Sequence, residues 1–171
     1  MCRSRSFVDR WCATIAAAVL ACACTSQAPD PVEPLADLPP GFPEQTVPAD
    51  NALTPERVAL GKTLFYSTEL SRTRTLSCAS CHDPALAFSD ARAVSLGVDD
   101  RAGTRNAPSL ANVGYAPNFL REGGVPTLEM QVLVPIQEHN EFDMNIIDVV
   151  ERLRSDSDLM RRSRDAYDRE L

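Results

Sequence analysis

Apolar residues fall along this chain in three patterns, and each predicts a different kind of structure. The first is a continuous run: Trp11 to Cys24 holds 14 residues without a charge. The second is periodic. Thr54-Pro55-Glu56 supplies an N-cap, a proline at the first helical position and an acid in the first turn. Val58, Gly61, Leu64 and Phe65 then recur at helical spacing, which predicts a first helix of about 12 residues. Ile146, Val149, Val150 and Leu153 predict another, capped near Asn145. Thr127 to Ile136 predicts a short helix with Leu128 and Val132 on one face, and Pro135 is expected to end or kink it. Residues 157–171 look helical but polar. The third pattern is the lack of one. Residues 67–127 are rich in Ser, Asn, Asp, Gly and Pro and show no long period. They read as loops with short helical turns, packed around a cofactor that replaces the missing core. Nothing alternates as strands do, and no segment repeats. The expected class is all-α with long loops.

The continuous run also has a direction. Arg3, Arg5 and Arg10 precede it, and it is too short for a membrane span of about 20 residues. This is the layout of a signal peptide over 1–24, so the chain is expected to be exported to the periplasm or cell envelope. A buried N-terminal helix is the weaker alternative. Val19-Leu20-Ala21-Cys22 matches a lipoprotein signal with Cys22 as the lipidated residue, and Ala21-Cys22-Ala23 also suits ordinary small-residue cleavage. The lipoprotein reading is preferred; it would anchor the protein to a membrane without spanning it. Residues 25–50 hold seven of the 13 prolines and read as an extended tether. The folded domain is expected over 51–171.

Charge and cysteine usage narrow the chemistry. The net charge is −7, with no basic stripe, which argues against nucleic-acid binding. Of six Cys, four (Cys2, Cys12, Cys22, Cys24) lie in the leader, so the domain is no disulfide scaffold. Cys78 and Cys81 remain, in Cys78-Ala79-Ser80-Cys81-His82. C-x-x-C-H is the signature of covalent haem c attachment. Both thiols can add to the vinyl groups of one haem, and His82 is delivered to the iron as proximal ligand. A thioredoxin-like motif would want a βαβ setting, and half of a zinc site would need two more ligands, with His139 the only other histidine. Haem alone leaves electron transfer and catalysis both open. Met130, Met144 and Met160 are candidates for a sixth iron ligand, though each also suits a core or surface position.

From Leu53 to about Leu153 the chain resembles the N-terminal, peroxidatic domain of bacterial di-haem cytochrome c peroxidases. The likeness rests on Leu53 to Phe65, on Leu76 to Pro84 around the haem motif, and on Ala87-Phe88-Ser89-Asp90. It continues in Gly103-Thr104-Arg105-Asn106-Ala107-Pro108-Ser109-Leu110 and in Gln131 to Glu141. The resemblance implies that hydrogen peroxide meets this haem, with a distal Gln at Gln131 and a distal Glu at Glu141. A carboxylate there can take a proton from peroxide and return it to the leaving oxygen; an amide can orient peroxide and stabilise developing charge. A small periplasmic redox protein would supply electrons. The family position at Asn106 helps hold a calcium ion between the two domains, which makes Asn106 a calcium candidate; a turn-forming Asn before Ala-Pro fits equally.

The chain departs from the family pattern at three places. The position of a distal His in some members falls on Val98, which cannot ligate iron, and His139 reads as a surface residue. Where the family has Phe-Trp-Asp-Gly, this chain has Leu120-Arg121-Glu122-Gly123, so Arg121 replaces the Trp. There is no second C-x-x-C-H, so the electron-accepting haem domain is missing. A truncated piece of a longer peroxidase is the favoured explanation over a one-domain protein. The expected function is haem-dependent peroxide reduction; the alternative is a single-haem electron carrier without peroxidase activity. A third reading, oxidation of another substrate by the same chemistry, is not separable from the first. A domain built to pack on an absent partner would expose an apolar face, so a homodimer or poor solubility of the isolated chain is expected.

Overall fold

A computed structural model describes residues 38–169. The leader over 1–24 with Cys22, the first half of the tether and the final two residues lie outside the described residues. Helices stand at both ends of the described stretch: α1 (Pro55–Tyr66), then α2 (Leu128–Gln131), α3 (Leu133–Gln137), α4 (Ile146–Arg154) and α5 (Ser157–Tyr167). Residues 67–127 run between them as loops with single turns of 3-10 helix. Among the described residues there is no strand, only isolated bridges at Asp83–Ser89, Leu96–Ala102 and Phe119–Val125.

α1 begins where its capping residues say it should. The Thr54 hydroxyl accepts from the Arg57 amide at 3.2 Å, and Pro55 takes the first helical position, where no amide donor is needed. Its buried face differs from the expected one. Leu60 is buried, whereas Val58 is 41% exposed and Gly61 faces solvent. The reason lies across the interface. Arg57 donates to the Ala166 carbonyl at 2.9 Å and stacks over the Tyr167 ring at 4.6 Å. A cation thus occupies part of the face that packs on α5, where periodicity alone would place an apolar residue.

The segment expected to be one helix over 127–136 is two. Thr127 caps α2, and α3 starts at Leu133. Pro135 does not end α3; it sits in its first turn. Having no amide hydrogen, it cannot donate to the Gln131 carbonyl four residues back, and the break falls there. Leu128 and Val132 are exposed, and Ile136 is the residue that enters the core.

α4 and α5 follow their patterns. Asn145 accepts from the Ile147 amide at 2.8 Å and Asp156 from the Asp158 amide at 2.8 Å, each satisfying a free helix-end donor. Val149, Leu153, Leu159 and Ala166 join Leu60, Leu70, Ile136, Phe142 and Met144 in one buried cluster. Arg152 reaches out of α4 to the Glu69 and Ser71 carbonyls at 2.9 and 2.7 Å. This fixes the turn at Thr68–Leu70, from which the chain leaves for the haem motif. The described end of the tether, 38–50, is exposed throughout. It touches the Val113–Tyr115 turn, where Tyr115 donates to the Pro43 carbonyl at 3.2 Å.

Candidate haem site

The cysteine motif hangs from Ser71, which is fully buried. Its hydroxyl accepts from the Leu76 amide at 3.3 Å. One residue on, the Ser77 amide donates to the Ser80 hydroxyl at 3.0 Å and starts the turn Cys78–Ser80. The Cys81 and His82 amides both donate to the Cys78 carbonyl, at 3.2 and 2.9 Å. The turn therefore sets both sulfurs and the His82 backbone together. Cys78 and Cys81 are free thiols. Burial pushes both above the usual thiol value; for Cys81 the Asp90 and Glu141 carboxylates add to it. Raised thiols are poor redox nucleophiles, which argues against a thioredoxin-like role.

His82 is held by its ring. Nδ1 lies 2.8 Å from the Phe88 carbonyl oxygen, which can only accept, so Nδ1 carries the hydrogen and Nε2 presents a lone pair. The carbonyl is aimed by two successive left-handed residues, Ala87 (φ 54) and Phe88 (φ 58). This conformation costs roughly 1–2 kcal/mol per residue for side chains with a Cβ. Neighbours hold it: the Phe88 amide donates to Asp83 at 2.8 Å, Ser109 donates to the Ala87 carbonyl at 2.6 Å, and Ser89 donates to the Ala107 carbonyl at 2.7 Å.

Glu141 reaches the same site through the backbone of residues 96–98. The Cys81 sulfur lies 4.0 Å from the Leu96 carbonyl oxygen. Gly97 packs against the Asn140–Glu141 peptide so closely that a Cβ would overlap the Asn140 carbonyl and stand 2.7 Å from the Glu141 oxygen. The Val98 amide donates to the Glu141 carbonyl at 2.9 Å. Val98 itself is 1% exposed and sits in this wall. Glu141 as a residue meets solvent, yet its carboxyl is packed closely enough that burial, and then the Glu138 carboxylate, push its pKa up. Such a carboxyl holds a proton more readily than a surface acid.

Gln131 ends α2 with its side-chain oxygen buried and without a hydrogen-bond partner. Such an orphaned acceptor is rare in folded proteins and calls for a reason. Backbone bonds from Phe142 to Pro135 (3.1 Å) and from Met144 to Ile136 (2.9 Å) tie the Glu141 segment to α3, the helix that follows Gln131. Two free thiols on one turn and a histidine of fixed tautomer are a donor set that fits a covalently bound haem; Glu141 stands close enough to raise the Cys81 thiol, while Gln131 is joined to them only through the backbone of α3.

Other candidate residues stand elsewhere. Met144 is buried in the helical core, where its sulfur accepts from Arg152 at 3.5 Å. Met130 is 51% exposed. His139 is a surface residue, facing Asp143 at 3.1 Å. Asn106, the calcium candidate, faces a side chain of this protein. The Arg121 guanidinium donates to its side-chain oxygen at 2.5 Å and approaches its backbone oxygen at 3.3 Å. Among the described residues no group of three or more His, Cys, Asp or Glu could hold a metal ion. Leu96, Gly97 and Phe88 had no place in the site by sequence reasoning. They contribute backbone groups, which residue type does not announce; the glycine between Leu96 and Val98 was the only visible sign.

Fold and motif together define a helical domain of the c-type cytochrome kind. The family model described as di-haem cytochrome c peroxidase matches residues 55–171, and the chain belongs to that family. It is 40% identical over 108 residues to the methylamine utilization protein MauG of Methylorubrum extorquens, covering 63% of this chain and 31% of that protein. It is 41% identical over 98 residues to the cytochrome-c peroxidase IdrP1 of Denitromonas iodatirespirans, covering 57% and 25%. Among solved structures, a MauG-like protein associated with microbial copper homeostasis superimposes with a TM-score of 0.71 at 38% identity, over 77% of this chain and 39% of that one. The di-haem peroxidase BthA of Burkholderia thailandensis gives 0.59 at 28% identity, over 63% and 31%. The chain thus spans about a third or less of the length of the curated relatives named here. Membership implies c-type haem and a haem-dependent redox role. No described helix is long and apolar enough to cross a membrane.

Proposed function

We propose that this chain is an exported domain that reduces hydrogen peroxide at one covalently held haem c. Electrons come from a small redox protein in the periplasm, and Cys22 carries a lipid anchor. The observation that carries the reading is the continuous backbone wall from the Cys81 sulfur, through Leu96, Gly97 and Val98, to Glu141. It sets a carboxyl of raised pKa beside the cofactor's anchoring thiol.

The bound haem supplies iron as the redox centre, with Cys78 and Cys81 as its tethers and His82 as its proximal ligand. The protein's own groups do the rest. The Phe88 carbonyl holds the Nδ1 hydrogen of His82, which keeps Nε2 directed and makes it a stronger ligand. Ionised Glu141 takes the proton from the near oxygen of peroxide and returns it to the far oxygen as it leaves. The unpaired Gln131 oxygen accepts a peroxide O–H and orients the molecule. Two electrons and two protons convert one peroxide to two waters.

The test is the absorption spectrum of the haem-loaded ferric protein before and after peroxide, with Glu141→Gln alongside. A high-spin spectrum that peroxide converts rapidly is expected. Glu141→Gln should slow this reaction by roughly 10²–10³-fold. Because the base must be ionised, the wild-type rate should rise with pH through a pKa above the ordinary carboxylate value, and the variant should lack that rise. A low-spin, six-coordinate spectrum indifferent to peroxide would leave a single-haem electron carrier instead.

A further inference from the structure

Two of the chain's departures meet in one contact. Arg121 stands where a Trp was expected, and Asn106 was the calcium candidate; the Arg121 guanidinium lies on both Asn106 oxygens, at 2.5 and 3.3 Å. We infer that Arg121 is a built-in cation that closes the Asn106 loop in place of a metal ion.

Three observations carry this. First, a guanidinium nitrogen 2.5 Å from the side-chain oxygen occupies the distance at which calcium would bind that oxygen, about 2.3–2.6 Å. Two cations cannot share the position. Second, the nearby carboxylate is already used: Arg105 pairs with Glu122 across the same two segments. The two contacts cross, Arg105 to Glu122 and Arg121 to Asn106, so each segment gives one cation and receives one. Calcium takes about six to eight oxygen ligands, drawn from carboxylates, carbonyls and waters, and the Glu122 carboxylate of these two segments is held by Arg105. Third, the clamp bears on the site. Asn106 precedes Ala107, whose carbonyl accepts from Ser89 at 2.7 Å, next to the Phe88 carbonyl that holds His82. Arg121 therefore holds the loop that runs beside the segment carrying the Phe88 carbonyl. A planar guanidinium suits the task, because its donors are fixed and it keeps its charge at any working pH.

Calcium titration of the chelator-treated, haem-loaded protein tests this directly. No heat of binding is expected by calorimetry, and the melting temperature should be the same in millimolar calcium and in excess chelator. In Arg121→Met, the amides of Phe119 and Val125, which pair around the Arg121 turn, should exchange hydrogen roughly fivefold faster. Arg121→Lys, which keeps the charge without the fork, should fall between. Calcium binding to the wild-type protein that disappears in Asn106→Ala would overturn the inference. So would unchanged exchange in Arg121→Met. Should that variant fail to fold, Arg121→Lys carries the exchange test, and unchanged exchange there would overturn the inference.

Discussion

The helical ends of this domain and the loop stretch between them are held by different means. In α4 and α5, side chains such as Val149 and Leu159 bury apolar surface against one another. Between 67 and 127, Leu70 is the one buried member of the main cluster, with Leu76 and Cys78 packed against it, and Val98, Ala107 and Val125 are buried apart from it. That stretch also holds seven of the nine non-glycine residues with positive φ among the described residues: Arg74, Ala87, Phe88, Asp99, Asp100, Asn112 and Leu120. Such conformations persist only where surroundings over-determine them. The helices therefore carry the stability, while the loops spend it to aim backbone groups such as the Phe88 carbonyl. A cofactor bonded to Cys78 and Cys81 would supply the loops with the apolar contact they lack.

The sharpest way to break the comparison is to remove that bond. In a Cys78→Ala, Cys81→Ala chain, haem should be lost from the denatured protein, and peroxide reduction with it. Amides between 78 and 127 should approach open-chain exchange rates, while those of α4 and α5 stay protected. Exchange that rises equally in both regions would mean that the helices depend on the cofactor as much as the loops do.

Leu153→Ala reverses the experiment. Leu153 is 6% exposed at the centre of the helical cluster, and its truncation should cost about 2–5 kcal/mol. The melting temperature should fall sharply. In the fraction that stays folded, the absorption spectrum of the haem-loaded protein should not change, because Leu153 belongs to the scaffold and not to the haem wall.

This division also explains what could be read from the sequence. α1 and α4 were legible because caps and apolar spacing act locally: Thr54 and Asn145 mark starts, and Val149 and Leu153 mark a face; α5 showed only as a polar helical stretch, and its cap Asp156 came from the structure. The buried face of α1 was misread because Arg57 packs where periodicity wants an apolar residue. Pro135 was correctly a breaker, but its effect lies four residues upstream, at the carbonyl it cannot pair. Within the site, Cys78, Cys81 and His82 are legible because thiol and imidazole chemistry is written in residue type. Glu141 was drawn from resemblance. Its approach to Cys81 runs through Leu96 and Gly97, whose contribution is backbone shape, and no residue type encodes that.

Gly97 offers a smaller and more local break. Its Cβ would overlap the Asn140 carbonyl, and neither partner is the end of a flexible side chain. Gly97→Ala should cost about 1–3 kcal/mol through overpacking. Its more telling effect should be on Glu141, which must move with its peptide. The peroxide rate should drop and its pH dependence shift towards an ordinary carboxylate, while the spectrum of the resting protein stays near wild type. An unchanged rate with an unchanged pH profile would show that Glu141 does not depend on this wall.

The smallest effect should come from the ion cluster at the edge of the loops. Asp143 accepts from Arg101 at 2.8 Å and from Arg72 at 3.0 Å, and its other oxygen faces His139 at 3.1 Å; Arg101 and Arg72 also meet Asp99. The Arg101 hydrogen bond, then that of His139, holds the Asp143 carboxyl down at about 2, against an ordinary 3.8. A carboxyl whose folded pKa is depressed adds stability above its unfolded value, and loses it as pH falls through the folded one. The contribution should therefore be whole above about pH 5 and decline progressively below it, through pH 2. Asp143→Asn should flatten this part of the melting-temperature profile and leave the neutral end little altered, since the pairs are solvent-screened. Salt should flatten it in the same way. A variant that lowers the melting temperature equally at pH 3 and pH 7 would place the role of Asp143 in its backbone, which turns left-handed at φ 52, and not in its charge.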